Sequence, residues 1–452
     1  MILPSPRIKR LLVVVFFSFL IGNALLYLLL PYDNPLVLAF RFNFSGLQLW
    51  FRGSGVEKDA WLYEPARYPI EYDTDVGLLI KTGYGTRHRL AAQLEALGLT
   101  AEQDARSFVV VGDWTPRGDS GSGGGKMAGV DVHDAVGGVM AMPEMRSHHD
   151  APKFKEYLAL KDAVRDGDDA KATEVGKSFG WDLDALKFIW GLEYVYDNLP
   201  PKKWYVILDD DTYLVRSSLR LLLAHWDPDT PQYIGNAVGD FRGRFAHGGS
   251  AVVISHEAAR RLLSRRDVVA AAQERSLEET WGDRLVATTF QKIGVYLDER
   301  HSHFFNGERP RVSRIMADRF CSPLVSFHGV ADPEEMRRIG AAFRDERSPV
   351  FWGQLWEIYG APSTEDFRRL PVRAGRDFVG RTDERAKVLP GTESGGACLE
   401  ECEALADKCL AWTWVEESRE CRLSPWMILG EPAEGHYSGI NVEEVEKLQA
   451  LC

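Results

Sequence analysis

The fold of this chain is decided by the stretch WYVILDDD, residues 204–211, in which five apolar or aromatic residues precede three aspartates. The apolar part is typical of a buried strand, and open α/β sheets bind ligands outside the carboxyl ends of their strands. Because side chains alternate along a strand, Asp209 and Asp211 can point the same way while Asp210 points away. Two such carboxylates favour a divalent cation such as Mg²⁺ or Mn²⁺. For Asp-x-Asp alone, an acidic turn that caps the next helix is the competing interpretation.

The N-terminus predicts a signal anchor. Residues 11–30 carry no charge, and at about 1.5 Å per residue they are long enough to cross a hydrocarbon core of about 30 Å. Three basic residues within 1–10 precede them, which puts that end in the cytoplasm and the rest of the chain on the far side. A cleaved signal peptide is the alternative, but the apolar run is long and has no small-residue cleavage site. The glycosylation sequon at Asn43 agrees with a lumenal side.

Composition excludes one class of partner. The net charge is −12, from 54 basic and 66 acidic residues. Because no basic run occurs beyond the one before residue 11, the charge pattern argues against a nucleic-acid partner. The length after the anchor predicts roughly two or three domains.

The cysteines predict a separate small module. Of six cysteines none precedes Cys321, and four fall within 24 residues: Cys398, Cys402, Cys409 and Cys421. In an oxidising compartment this pattern indicates a disulfide-stapled module behind a larger domain. Zinc is the competing interpretation, but no spacing here is the two-residue knuckle of a zinc finger. The four cysteines allow three pairings, which spacing does not distinguish.

Between the stem and the cysteines, predicted strands and helices alternate. Strands are predicted at Val76–Lys81, Phe108–Val111, Trp204–Leu208, Tyr233–Ile234 and Gly249–Ile254. Helices are predicted at Thr86–Leu97, Leu183–Asn198, Leu219–Trp226 (capped by Ser217 or Ser218), His256–Leu263 (capped by Ser255) and Asp283–Ile293. Such units imply a mostly parallel sheet covered on both faces. The glycine- and serine-rich residues 118–125 lack the phosphate-loop lysine and favour a flexible surface insertion.

Four motifs, in this order, resemble glycosyltransferase family 31. They are KFIWGLEYVYDNLPPKKWYVILDDDTYLV (187–215), AHGGSAVVIS (246–255), WGDRLVATTFQKIGV (281–295) and PLVSFHGV (323–330). The likeness spans about 76–336 and is to the branch that contains Fringe and the core 1 β3-galactosyltransferase, in its fungal form. It implies a GT-A, Rossmann-like α/β fold, a UDP-sugar donor and Mn²⁺. It also implies inverting transfer to a glycan or glycoprotein, with a β1,3 linkage, in the Golgi.

The resemblance assigns the metal site. Asp209 and Asp211 match the family's metal and nucleotide-sugar motif, and His328 matches the histidine that completes it. Neutral imidazole suits Mn²⁺. Taken alone, His328 on an apolar strand is more typical of a core histidine.

The resemblance also assigns the catalytic base to Asp283. The chain departs from the family's acidic-Asp-x-x-Leu-Gly pattern at Gly282, Val286 and Ala287, so nearby Glu278 and Glu279 compete for the role. The motif QKIGV follows Asp283 at the family's interval and favours it. A carboxylate stabilised by the helix dipole is the structural alternative.

Four further residues are donor-binding candidates. Gly248 and Gly249 match paired glycines that let backbone approach the substrate, although a simple bulge is the alternative. Lys81, at the end of the first strand, falls where the family places nucleotide contacts, and Asp210 belongs to the acidic motif. A strand-end lysine is otherwise typical of plain surface.

The tail resembles a PAN/Apple module through ACLEECEALADKCLAWTWVEESRECRLSPW (397–426) and HYSGINVEEV (436–445). The resemblance implies a helix tied to a hairpin by the bonds Cys402–Cys409 and Cys398–Cys421. Cys321 and Cys452 remain, and a bond between them would pin the module to the larger domain near His328. The module either presents an acceptor or serves as a stabilising appendage.

The predicted organisation is a cytoplasmic tail (1–10), a transmembrane anchor (11–30), a stem (31–70), a GT-A domain (71–345), a linker (346–372) and a PAN/Apple-like module (373–452). The predicted function is a type II Golgi membrane glycosyltransferase. The competing class is an inactive relative that binds glycans without transferring sugar. The intact aspartates and histidine argue against lost activity, while the donor sugar and the acceptor depend on pocket shape that motifs do not reveal.

Overall fold

The structure is a computed structural model that describes residues 28–51, 55–103, 105–116 and 125–452, and before them residues 14, 15, 17, 18, 21, 22 and 25. Within these residues no helix is both long enough and apolar enough to cross a membrane. Half of the predicted anchor, and most of the predicted insertion at 118–125, lie outside the described residues. The stem contains helix α1 (Pro35–Phe51), on which Asn43 is exposed.

A seven-stranded sheet forms the centre of the larger region. Its strands are β1 (Val76–Lys81), β2 (Phe108–Gly112), β3 (Lys126–Met127), β4 (Val130–Asp134), β5 (Trp204–Asp209), β7 (Tyr233–Gly235) and β10 (Val252–Ser255). The order across the sheet is β3-β4-β2-β1-β5-β10-β7. Neighbours from β4 to β5 are parallel, whereas β3, β10 and β7 pair antiparallel. The sheet is therefore parallel in the middle and antiparallel at both sides, so the expectation of a mostly parallel sheet holds only for its centre.

The middle strands are buried on both faces. Side chains of β5 alternate between two apolar clusters, with Val206 and Leu208 in one and Tyr205 and Ile207 in the other. A strand covered on both sides reads as a continuous apolar run, as residues 204–208 do. The mixed α/β architecture is consistent with the predicted GT-A fold.

Helices cover both faces. They are α2 (Tyr72–Asp75), α3 (Leu90–Leu97), α4 (Ala135–Met140), α5 (Pro152–Asp166), α6 (Asp169–Asn198), α7 (Arg216–Leu223), α8 (His256–Leu263), α9 (Arg266–Arg275), α10 (Gly282–Lys292) and α11 (Pro333–Phe343). Three small pairs of strands complete this region: β6 (Tyr213–Leu214) with β12 (Ser326–Phe327), β8 (Ala237–Val238) with β9 (Phe245–Ala246), and β11 (Ile315–Met316) with a strand near the C-terminus. The 3-10 helices span Gly55–Tyr63, Tyr84–Arg89, Ala101–Gln103, Pro143–His148, Gly248–Ser250, Glu299–Phe304 and Pro310–Val312.

Three local predictions were wrong. The helix predicted from Thr86 begins as a 3-10 helix and becomes α-helical only at Leu90. Ser217 and Ser218 lie inside α7 rather than capping it, because the Ser218 hydroxyl donates to the carbonyl of Val350, 3.1 Å away. The strand predicted from Gly249 begins at Val252, after the 3-10 turn and a left-handed Ala251 with φ of 73°. By contrast, the Ser255 cap of α8 is confirmed.

The predicted helix Leu183–Asn198 is the second half of a longer one. Helix α6 starts at Asp169, where the side chain of Asp168 accepts a hydrogen bond from the backbone of Lys171. Glycines in its first half lower helix propensity and obscured this start. Gly176 is needed there, because a Cβ atom on it would lie 2.7 Å from the backbone of Gly85.

The C-terminal region is an antiparallel five-stranded sheet, with order β13-β18-β15-β16-β14. Its elements are α12 (Leu355–Ile358), α13 (Thr364–Arg369), β13 (Arg373–Asp377), β14 (Lys387–Pro390), α14 (Gly395–Ala404), β15 (Ala411–Val415), β16 (Glu420–Ser424), β17 (Trp426–Met427), β18 (Glu431–Ile440) and α15 (Val442–Leu451), with 3-10 helices at Trp352–Gln354 and Ala406–Lys408. Strand β17 pairs with β11 of the larger region. The disulfides Cys398–Cys421 and Cys402–Cys409 are the two that the resemblance implies, and the remaining cysteines form the bond Cys321–Cys452.

Candidate functional site

The acidic end of β5 is fixed from beneath by one buried amide. The Nε2 group of Gln93 donates to the carbonyl oxygens of Asp209 and Thr212, at 2.6 and 2.8 Å. Gln93 is fully buried on α3, and satisfying both carbonyls there is worth more than it would be in water. The turn that carries the aspartates is therefore anchored to the core.

Three predicted ligands come together at this turn. One side-chain ligand atom from each of Asp209, Asp211 and His328 lies within 4.8 Å of the others. The Nε2 atom of His328 is 3.4 Å from Asp211 Oδ1, and its Nδ1 atom is 3.3 Å from the carbonyl oxygen of Gly307. A proton on Nδ1 donated to that carbonyl leaves the Nε2 lone pair facing the carboxylates, which is the usual arrangement of a ligating histidine.

Neighbouring charges shift the pKa values of two groups in the cluster, Asp211 and His328. Burial alone raises the pKa of Asp211, but the hydrogen bond and charge of His328 and the charge of Arg89 bring it below its usual value. Burial lowers the pKa of His328, and Asp211 and Asp209 more than offset this, so the net shift is upward. The rise at His328 reflects the two carboxylates that face it, and the fall at Asp211 reflects the cationic groups beside it, so these carboxylates are already favoured in the charged form that binds a cation.

The donor set fits a divalent metal. Two carboxylates and an imidazole are ligands that Mn²⁺ accepts. Gly249 is part of the fit, because a Cβ atom on it would lie 2.1 Å from His328 Nε2. The carbonyl of Gly249 accepts a 2.7 Å hydrogen bond from the Thr212 hydroxyl. Only glycine therefore leaves room for the imidazole.

Asp210 faces the other way, as strand alternation predicts. Its carboxylate is buried and accepts hydrogen bonds from the hydroxyls of Thr82 and Thr86, at 2.8 and 2.5 Å. Burial raises the pKa of Asp210 to about 6, although these hydrogen bonds and the charge of Arg89 oppose the rise. The guanidinium of Arg89 bridges to Asp210 and Asp211 at 3.2 and 3.3 Å. Asp210 thus lies in the wall of the site, on the far side from the ligand cluster.

Lys81 is a buried cation rather than a surface residue. Its ammonium lies 2.8 Å from Asp209 and 2.8 Å from Asp184, and 3.4 Å from the ring centre of Phe188. Burial opposes its charge, but Asp184 and Asp209 raise its pKa to about 12. Lys81 pairs with Asp209 in the register of β1 on β5, so the parallel sheet itself places the two side chains together.

Asp283 lies at the start of α10, beside the glycine pair. Its Oδ2 accepts a 2.8 Å hydrogen bond from the backbone of Gly248, and its Oδ1 accepts one of 2.8 Å from Arg284. Burial raises the pKa of Asp283 to about 6, while these hydrogen bonds and Lys81 oppose the rise and Asp209 adds to it. A carboxyl group with this pKa can take up and release a proton near neutral pH.

The competing glutamates have other surroundings. Glu279 binds the guanidinium of Arg284 at 2.7 Å and accepts hydrogen bonds from the backbone of Thr280 and Trp281. Glu278 is exposed to solvent. Neither has a described contact with the ligand cluster, whereas Asp283 bonds to the residue that precedes Gly249.

Sequence reasoning missed three residues of the site. Asp184 and Arg89 gave no signal, because their partners lie over 100 positions away in the chain. His247 precedes the glycine pair in the motif AHGGSAVVIS, and the centre of its ring lies 5.0 Å from that of His328. Its Nδ1 atom is 2.9 Å from the Ser250 hydroxyl, and burial, followed by the charge of His328, lowers its pKa.

Comparison with known proteins connects this region to a family. Residues 185–357 match the Fringe-like family model, and this segment contains Asp209, Asp211, Asp283 and His328. Two proteins named beta-1,3-glucosyltransferase are similar to the chain: that of Mus musculus is 34% identical and that of Homo sapiens 31% identical, each over 111 residues.

These alignments are partial. They cover 24% of this chain and 21% of each relative, so the chain spans about a fifth of the length of the curated relatives it matches. The family-model match over residues 185–357 and the two relatives support the likeness to glycosyltransferase family 31.

Proposed function

We propose that this chain is a metal-dependent, inverting glycosyltransferase, which moves a hexose or N-acetylhexosamine from a UDP-sugar to a hydroxyl of a glycan or glycoprotein. The observation that carries the proposal is that a possible metal-binding cluster and a buried carboxyl group lie close together near the carboxyl end of β5. One is a cluster of hard ligands, Asp209, Asp211 and His328. The other is a buried carboxyl, Asp283, with a pKa raised to about 6.

The ligand cluster serves the leaving group. Asp209, Asp211 and His328 would hold Mn²⁺, and the bound ion would neutralise charge that grows on the β-phosphate of departing UDP. Lys81 would hold Asp209 in position through its 2.8 Å contact. Because Gly249 has no side chain, the imidazole of His328 would have room to reach the metal.

Asp283 serves the acceptor. Each of its oxygens accepts one backbone hydrogen bond, which orients the carboxylate and leaves lone pairs to receive a proton. The acceptor hydroxyl would give its proton to Asp283 as its oxygen forms a bond to C1 of the sugar and the bond from C1 to UDP breaks. One displacement inverts the anomeric carbon, so one base is sufficient.

We assign the enzyme to a β1,3 linkage, because the two similar proteins are named beta-1,3-glucosyltransferases. UDP-glucose is therefore the first donor to test. The uncharged run at residues 11–30 and the three disulfides support a lumenal catalytic region on a type II Golgi anchor. We also propose that the C-terminal sheet is a PAN/Apple-like module. The same topology would place it on the lumenal side of the membrane.

The test is release of UDP by the purified full-length chain from a panel of UDP-sugars, with Mn²⁺ or with a chelator. We expect at least one UDP-sugar to release UDP with Mn²⁺, slowly to water and faster when glycan acceptors are added. Asp407→Asn, an exposed carboxylate of the C-terminal region, is the matched control and should behave as the parent does. If the chain binds glycans but releases no UDP from any donor, the glycan-binding alternative replaces the proposal.

A further inference from the structure

Two tryptophans are exposed on the helices that meet near Asp283, one just before α10 and one in α6, although tryptophan is costly to leave in water. Among the tryptophans whose side chains the structure describes, only Trp181 and Trp281 are exposed, at 70% and 47%. Neither has a role in the chemistry derived above. Their placement relative to the site gives them one.

Trp281 is held in a fixed position next to the base. It lies two residues before Asp283, and its backbone N–H donates to Glu279 at 3.2 Å. The guanidinium of Arg284 lies 5.4 Å from the centre of its ring, and the ring of Phe245 is 6.1 Å away. Arg284 is in turn held by Glu279, so one side of the indole is supported while about half of it faces solvent.

Trp181 has the helical spacing that relates it to two residues of the site on α6. Residues three, four and seven positions apart share one side of a helix, which places Trp181 above Asp184 and Phe188. Asp184 binds Lys81, and Phe188 lies beneath the ammonium of Lys81. Trp181 therefore lies about one helical turn before Asp184 and about two before Phe188, the two residues that contact Lys81.

The same two helices meet at the base. A Cβ atom on Gly282 would lie 2.1 Å from the ring of Phe188 and 2.9 Å from the backbone of Ala185. This close packing brings the start of α10, with Trp281 and Asp283, against α6 just beyond Trp181. Trp281 thus adjoins the contact between the two helices beside Asp283, and Trp181 lies about one helical turn before that contact on α6.

We infer that Trp281 and Trp181 form the acceptor subsite, and that the acceptor is a carbohydrate whose sugar rings lie against the two indoles. An indole offers a flat apolar face with a polar N–H at its edge, which matches a pyranose with C–H groups on its faces and hydroxyls on its rim. Trp281 takes the sugar that receives the transfer, since it adjoins Asp283. Trp181 takes the next sugar outward. The inference rests on the proposed function and names the substrate class of that site.

The experiment is saturation-transfer NMR of the full-length chain with Mn²⁺ and UDP present, using methyl β-glycosides of monosaccharides and disaccharides as probes. The variants are Trp281→Ala, Trp281→Phe and Trp181→Ala. Tyr63→Ala, which removes another exposed aromatic, is the control. UDP affinity and thermal melting are measured on the same samples to establish that each variant is folded.

We expect the ring C–H protons of at least one glycoside to receive saturation in the parent. Trp281→Ala should weaken that binding about tenfold or more, as loss of a central tryptophan contact typically does, and Trp281→Phe should weaken it less. Trp181→Ala should weaken the binding of disaccharides more than that of monosaccharides. Tyr63→Ala should leave the binding of both unchanged. UDP affinity should stay at the parental value throughout.

Equal glycoside binding by Trp281→Ala and the parent would overturn the inference, and so would a parent that binds UDP but no glycoside. A parent that binds glycosides through these tryptophans but does not bind UDP with Mn²⁺ would leave the subsite standing and overturn the transferase. The two failures are therefore distinguishable.

Discussion

The acidic end of β5 and the C-terminal five-stranded sheet are stabilised by different chemistry. Around Asp209 the chain has no cysteine, and buried charges and hydrogen bonds from Lys81, Arg89 and Gln93 fix the side chains. In the C-terminal sheet, two disulfides tie α14 to β16 and to the segment before β15, and a third attaches the C-terminus to Cys321. The region around Asp209 should therefore be perturbed most by substitutions that change charge, and the C-terminal sheet by substitutions that remove a disulfide bond. The predictions below test the site first and the disulfide-bonded sheet last.

The largest effect is expected at Asp283. Asp283→Asn keeps the size of the side chain but cannot accept the acceptor's proton, so turnover should fall by about 10²–10⁴. Affinity for UDP with Mn²⁺ should change little, because in the proposed mechanism the metal held by the ligand cluster, not Asp283, would bind the diphosphate. Steady-state UDP release with a working acceptor and calorimetric UDP binding measure the two quantities.

Glu279→Gln is the matched control for that variant. Glutamine at this position can still accept the hydrogen bonds that Glu279 accepts from Arg284 and from the Trp281 backbone, so turnover should stay within a few-fold of the parental value. Near-parental turnover in Asp283→Asn together with loss of activity in Glu279→Gln would mean that the glutamate is the base.

The next effect concerns space rather than charge. Gly249→Ala would place a methyl group 2.1 Å from His328 Nε2 and must displace the imidazole. Displacing a metal ligand's support typically costs about 10–100-fold in metal affinity, so Mn²⁺-dependent UDP binding should weaken by that factor. Gly396→Ala, on the exposed side of α14 with no atom closer than 3.7 Å to the added carbon, is the control in the disulfide-bonded region. Unchanged UDP binding in Gly249→Ala would show that His328 is not a ligand.

Acid should reduce turnover before it affects the fold. Burial raises the pKa of Asp283 to about 6, with Asp209 adding to the rise and Lys81 opposing it. Because the base works only when ionised, kcat/KM should fall about tenfold per pH unit below about pH 6 and be level above it. Asp210 also has a pKa of about 6, so UDP affinity must be followed over the same range. A flat rate profile between pH 5 and 7 would contradict the assignment of Asp283.

The smallest effect on activity is expected from the disulfides. Replacing Cys398 and Cys421 by serine opens a separation of 23 residues and should destabilise the C-terminal sheet by about 3 kcal/mol, against about 2 kcal/mol for the seven-residue separation of Cys402 and Cys409. Thermal and denaturant unfolding measure this difference. Turnover should remain within twofold, and a large loss of turnover would show that the module contributes to catalysis.

The strands and the ligand cluster were predictable because their signals are local or ordered along the chain. The run at 204–208 reads as a strand buried on both faces, and alternation alone separates Asp209 and Asp211 from Asp210. His328 required the order of four motifs, since a lone histidine on an apolar strand carries no such information.

The rest depends on contacts between distant segments. The partners of Lys81 and Asp210 lie 103 and up to 128 positions away, so no window of sequence contains them. Local rules also failed where tertiary contacts took over. Ser218 has the residue type of a cap, yet it bonds to Val350 from inside a helix. Gly249 sits in an apolar run that reads as strand, yet the imidazole of His328 requires a turn there.

The most direct test of the account is calorimetric binding of UDP to the parent and to Asp211→Asn, with and without Mn²⁺. The substitution keeps the size of the side chain and removes one charge from the proposed cation site, while the hydrogen bonds from the buried Gln93 are untouched. The account predicts tight binding by the parent only when Mn²⁺ is present, at least tenfold weaker binding by Asp211→Asn at the same Mn²⁺, and similar melting of both proteins. Equal affinity of the two proteins for UDP at equal Mn²⁺ would contradict it.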